Sequence, residues 1–177
     1  MKNYDTQVKS IYEAIGVYCV EFERMAEGMR GCITVVLDCG DNSAQRKVYI
    51  LLSGITASPI KDKFYRVMTD YLDDLEDIKV IKALKKIIEK QITYRNQTIH
   101  AYMFVGYGNE DTKDYSQFSK MTVMRDGLHF AEETCDNINS NIKILKQLNS
   151  LLLRLRCCLS FRDLSIKGNV AIPDEWI

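Results

Sequence analysis

Arg95, Asn96 and His100 lie in the segment YRNQTIHAY, and their types and spacing suit work on a phosphodiester. On a helix of about 3.6 residues per turn, Leu84, Ile88, Ile92, Arg95, Ile99 and Tyr102 share a face to within about 100°. Arg95 therefore interrupts an apolar seam. A guanidinium does not shed its charge, so it must escape to water, pair with a carboxylate, or face an anionic ligand. On the same ideal helix His100 lies roughly 40° from Asn96 and about 140° from Arg95. Asn96 can then orient the imidazole across one helical turn and fix which ring nitrogen carries the proton. Arginine clamps a phosphodiester and stabilises charge on its oxygens, while histidine moves protons near neutral pH.

Other residues have milder readings. His129, beside a DG turn, reads as a hairpin residue with a satisfied ring nitrogen. Glu21, Glu23 and Glu27 alternate with Arg24 and Arg30 at spacings of three and four, a pattern of ion pairing along a helix surface. Arg154, Arg156, Arg162 and Lys167, with Phe161 among them, form a basic cluster that could hold RNA phosphate and stack a base, or simply solvate a helix end. The six cysteines contain no CxxC pair and there are only two histidines, so no metal site and no cofactor is expected, and the thiols read as reduced and buried. The 24 basic and 24 acidic side chains cancel, so any nucleic-acid contact must be local.

Long helices must position these residues. At 177 residues, 46% hydrophobic and 27% charged, the chain suits one globular domain over 1–177, with 161–177 as a C-terminal tail. Apolar residues recur from Val8 to Val36 with helical rhythm, which predicts a first helix from Asp5 to about Leu37, bent near Gly28 and Gly31. CGDNSAQ reads as a turn, and a second helix carries Val48, Leu51, Leu52 and Ile55. Ser58 and Pro59 suit the cap and first position of a third helix, with Phe64, Val67, Met68 and Tyr71 buried. The fourth helix is expected from about Leu75 to Val105, stopping at Gly106 and Gly108, and it carries the chemistry. SKMTVMRDGLHFAEE then predicts a small hairpin about its DG turn, and a last long helix runs from about Glu132 to Leu159. The expectation is an all-α antiparallel bundle of about five helices with a small β-hairpin before the last one, and a tail that packs back through Trp176 or serves a neighbour. No stretch approaches the roughly 20 apolar residues of a membrane span, and the N-terminus carries no signal pattern, so a cytoplasmic protein is expected.

The segment YRNQTIHAY resembles the R-N-x-x-x-H form of the motif of HEPN superfamily ribonucleases, with Arg95, Asn96 and His100 matching in turn. With Tyr102 it is also similar to the R-x4-H-x-Y form of HEPN toxins encoded beside minimal nucleotidyltransferase antitoxins. The resemblance covers the motif helix closely and the rest as helical architecture. It implies metal-independent cleavage of RNA by the ribose 2′-hydroxyl, leaving a cyclic phosphate, in a homodimer whose motif helices meet. It further implies a role as a toxin or antiviral effector, an antitoxin or nucleotidyltransferase partner, and Tyr102 as the target of adenylylation. Two other classes stay open on the residues alone. One is a noncatalytic HEPN bundle that binds a nucleotide, RNA or protein. The other is an unrelated helical interaction domain in which Arg95 is paired and His100 packed.

Overall fold

The computed structural model describes residues 4–37, 42–99, 102–104, 117–124, 127–161, 165–173 and 176. Among the described residues there are six helices, α1 (Tyr4–Val36), α2 (Asn42–Leu52), α3 (Ala57–Tyr71), α4 (Leu75–Ile99), α5 (Cys135–Ser160) and α6 (Ile166–Asn169). Three strands, β1 (Tyr102–Phe104), β2 (Gln117–Met124) and β3 (Gly127–Thr134), stand between α4 and α5. The expected helical architecture holds, and the strands form one antiparallel sheet in the order β1-β2-β3. The contacts divide the chain into two compact units, Met1–Phe22 with Thr93–Leu145, and Glu23–Ile92 with Lys146–Ile177.

In the second unit the apolar stripes read from periodicity form the core. Met25, Met29 and Ile33 of α1, Phe64 and Met68 of α3, Ile81, Leu84 and Ile88 of α4, and Leu152 and Leu155 of α5 are all buried. Helices α3 and α4 run in opposite directions: Lys61 reaches Glu89 at 2.9 Å, and one turn further along α3 Tyr65 lies under the Lys85 ammonium at 4.4 Å. Here α1 and α5 run in the same direction, because Gly28 lies against Leu152 and Gly31 against Arg156. A Cβ on Gly28 would stand 3.1 Å from Leu152 Cδ1. The two glycines expected to bend α1 thus let α5 approach its backbone, within a helix that is continuous from Tyr4 to Val36.

Further details of this unit depart from the sequence reading. Helix α3 begins at Ala57 with Thr56 as its N-cap, two residues earlier than Ser58 and Pro59 suggest. Pro59 still sits in the first turn, where its missing N–H would have had no helical partner. Leu51 is exposed, and α2 ends at Leu52 before Gly54, whose φ of 76° is the left-handed value that closes a helix. Ile55 therefore lies beyond the helix, where its carbonyl accepts from Arg30 Nη2 at 2.7 Å. Tyr71 is exposed as well, at the end of α3. The tail is anchored through buried Ile166 and Val170 rather than through Trp176, which is half-buried. Ser165 caps α6 by accepting from the Gly168 N–H.

In the first unit α1 contributes Ile11, Ala14, Tyr18 and Phe22 to the core, and α5 contributes Ile138, Ile142 and Leu145. The sheet lies in the same unit, and its two longer strands pair from Gln117 with Thr134 to Met124 with Gly127. In that register Gly127 opens β3, opposite Met124. The third strand is the larger departure. The fourth helix was expected to reach Val105, but α4 ends at Ile99 and Tyr102 pairs with Met121 in β1. Aromatic and unbranched side chains in Tyr102, Met103 and Phe104 suit a pleated strand, and β2 offers their backbone a hydrogen-bonding partner that outweighs continuation of the helix. No described helix is long and apolar enough to cross a membrane.

Candidate functional site

The site is built on the last turns of α4 in the first unit. Arg95 is half-buried, with its guanidinium carbon 5.6 Å from the centre of the Phe22 ring. An aromatic face on α1 thus provides surroundings for the charge on the apolar seam, a resource not among the three routes read from sequence. Phe22 stacks on Tyr18 with ring centres 6.3 Å apart, and Tyr18 meets Tyr94 edge to face at 5.3 Å. At the far end, Lys120 Nζ lies 5.3 Å from the centre of the Tyr94 ring. Three rings therefore run in a row, with Arg95 at one end and Lys120 at the other.

Lys120 is paired with Glu133 at 2.7 Å, and both are buried, at 9% and 2% exposure. They lie on adjacent strands two residues off register, diagonally on one face, since Lys120 pairs with Ala131 and Glu133 with Phe118. Tyr94 and Thr98 stand one helical turn apart on α4, and Thr98 is 1% exposed. The Tyr94 hydroxyl and the Thr98 Oγ1 are buried without a completed hydrogen bond. Burial raises the Tyr94 phenol above its ordinary range, and the charge of Glu133 raises it further; Thr98, Glu133 and Asn141 approach the hydroxyl without reaching hydrogen-bond geometry. Burial likewise raises the Tyr18 phenol, as does neighbouring Tyr94, with the positive Arg95 opposing them. The result is a polar and ionic interior in which the phenols stay protonated at neutral pH.

Asn96, next to Arg95, is exposed and open to a ligand. His100 falls outside the described residues, as does Arg162. The angles assigned to His100 assumed a helix that runs on to Val105, whereas Tyr102–Phe104 is a strand. Tyr102 is placed on β1 rather than on the helical seam. His129 is a β3 residue whose backbone pairs with Thr122. Arg154 and Arg156 both belong to α5 of the second unit and are exposed, and two residues of helix separate their directions by about 200°. Arg156 lies along Gly31, and Lys167 reaches Glu76 at 3.1 Å. Among the acidic residues read as helix-surface partners, Glu27 does meet Arg30 at 3.3 Å. Glu21 does not fit that reading, since it is 6% exposed.

Cys32 and Cys158 are buried, while Cys157 is exposed, so the expectation of buried thiols fails at Cys157. Burial pushes the Cys32 thiol up to about 12. Among the described residues no group of three or more histidine, cysteine, aspartate or glutamate side chains is placed to hold a metal ion. Comparison with models of known protein families finds no match, and comparisons with curated proteins and with solved structures find none either.

Sequence reasoning missed Tyr18, Tyr94, Thr98, Lys120 and Glu133. Tyr94 adjoins Arg95 in the chain and was accessible as a neighbour. Lys120 and Glu133 read as ordinary hairpin charges, and only the strand register puts them diagonally opposite each other.

Proposed function

We propose that this chain is a metal-independent endoribonuclease of the HEPN type, with Arg95, Asn96 and His100 as its site residues. The observation that supports it best is the arrangement at the end of α4. There a half-buried guanidinium is held against the Phe22 ring beside an exposed asparagine, at the spacing from a histidine that the motif requires. In this reading Arg95 clamps the scissile phosphate and His100 serves proton transfer, with Asn96 orienting the imidazole. The ribose 2′-oxygen forms a bond to phosphorus as its proton is removed. The bond from phosphorus to the 5′-oxygen breaks, that oxygen takes up a proton, and a 2′,3′-cyclic phosphate remains.

A homodimer that brings two α4 ends together belongs to this proposal, as do action as a toxin or antiviral effector in the cytoplasm, control by an antitoxin or nucleotidyltransferase, and modification at Tyr102. Contact of RNA with Arg154, Arg156 and Arg162 belongs to it too. Incubating total RNA with the purified wild type and with His100→Ala, both in EDTA, tests it. Cleavage by the wild type that leaves cyclic phosphate ends, and its loss in the variant, is expected. No cleavage by the wild type, or equal cleavage by both proteins, overturns the reading; a folded dimer that binds RNA without cutting it would favour a noncatalytic bundle.

A further inference from the structure

The ion pair inside the sheet has a cost that stability does not account for. Removing two charges from water is expensive, and well-packed apolar residues of similar volume often replace such a pair with no loss or with a gain in stability. Lys120 and Glu133 are therefore poorly explained as stabilisers. Their position is more informative. The Lys120 ammonium lies over Tyr94, the residue just before Arg95, and the Lys120 backbone pairs with Met103, three residues after His100. The whole of 95–100 is thus bracketed by contacts of one residue.

We infer that Lys120, held in place by Glu133, is a positioning residue that sets the geometry of Arg95 and Asn96 at the end of α4, by holding Tyr94 before them and Met103 after them. The inference rests on the reading of Arg95 and His100 as site residues. Four observations support the mechanical part. The Glu133 carboxylate leaves the Lys120 ammonium little freedom, since both groups are buried and 2.7 Å apart. The ammonium is aimed at a ring, which fixes the rotation of α4 at Tyr94. That ring is in contact with Tyr18, which stacks on the Phe22 that carries Arg95. The β1 pairing, with Met103 opposite Lys120, anchors the chain where it leaves the segment. A displaced Lys120 would release both ends together, and a shift on the order of 1 Å in a site residue is enough to cost about a hundredfold in rate.

The test uses the full chain in three forms: wild type, Lys120→Arg, and the apolar double variant Lys120→Met with Glu133→Leu. Amide hydrogen exchange is followed over 94–104 and over α3 as an internal reference, and cleavage of RNA is measured as kcat and KM separately. The double variant is expected to keep α3 protection and to exchange about tenfold faster over 94–104, with kcat reduced about tenfold or more and KM little changed. Lys120→Arg, which keeps the cation over the ring and the partner for Glu133, is expected to behave as wild type in both. If the double variant matches wild type in exchange and in kcat, or loses kcat with no change in exchange over 94–104, the inference is wrong. If it loses protection throughout the molecule, the pair is a determinant of the whole fold and the positioning role is likewise overturned. A wild type that does not cleave RNA defeats the proposed function alone, because the exchange measurement still decides whether Lys120 holds the segment.

Discussion

The two compact units of this protein differ in what they bury. In the second unit the fully buried side chains are almost all apolar, and charged pairs such as Lys61 with Glu89 keep at least one partner substantially open to water. In the first unit a helical core of ordinary character shares its interior with Glu21, Thr98, Lys120 and Glu133, and with phenols whose ionisation burial suppresses. Apolar packing suffices to build a bundle. Polar groups held away from water cost stability unless they are satisfied, and departures from the apolar rule concentrate where a protein works. The contrast points to the first unit as the working part and the second as scaffold.

Substitutions at ionic groups should separate the units most sharply. Lys120→Ala leaves Glu133 buried without its partner and is expected to cost about 3–5 kcal/mol. Glu89→Ala in the second unit, where the glutamate is partly solvated, should cost less than about 1 kcal/mol. Chemical denaturation of both variants measures the difference, and equal costs would remove the distinction. Arg95→Ala and Arg30→Ala form the next pair. Arg95→Ala is expected to lower RNA cleavage about 10²–10³-fold with little change in stability. Arg30 donates to the carbonyls of Leu52 and Ile55 and meets Glu27. Its replacement should cost about 1–3 kcal/mol and leave cleavage per folded molecule unchanged. Cleavage lost through Arg30 would assign function to the second unit also.

Two helical glycines sharpen the comparison at lower energy. Gly28→Ala places a Cβ against Leu152 and should destabilise by about 1 kcal/mol, whereas Gly16→Ala meets nothing within 4 Å and should stabilise by about 0.5–1 kcal/mol through helix propensity. Thermal melts of the two variants, shifted in opposite directions, would confirm that α1 is closely packed at Gly28 and open at Gly16.

A last contrast is expected in alkali. Cys32 in the second unit is held protonated up to about 12, against an ordinary value of 9.0, and the phenols of Tyr18 and Tyr94 in the first unit are raised above an ordinary 10.0. An acid that stays protonated when folded and ionises when unfolded favours unfolding as pH rises. The Cys32 contribution is therefore complete below about pH 9 and declines above it, by no more than about 1.4 kcal/mol per pH unit. Melts between pH 8 and 11 should show a decline above about 9 that is shallower in Cys32→Ala, where Cys158, also raised by burial, and the tyrosines remain. An unchanged slope in that variant would mean that Cys32 ionises as readily in the folded chain as in the unfolded one.

Helix positions, most of the second unit's core and the spacing of Arg95, Asn96 and His100 were determined by the sequence itself. Helical hydrogen bonds and side-chain neighbours come from residues three and four apart, so the pattern that makes a helix is written locally, and the stripe from Ile81 through Ile88 in α4 could be read directly. The end of α4 could not be read in that way. Ile99 and Tyr102 continue the helical period, and only the availability of β2 as a backbone partner turned Tyr102–Phe104 into a strand. The same non-local pairing buried Lys120 and Glu133, whose types alone suggest solvent, and brought them to Tyr94. Burial likewise separated Glu21 from Glu27 on one helix, where spacing treated them alike. Tertiary structure decided these points because strand pairing and burial join residues far apart in the chain, and their free energy depends on neighbours that no local window contains.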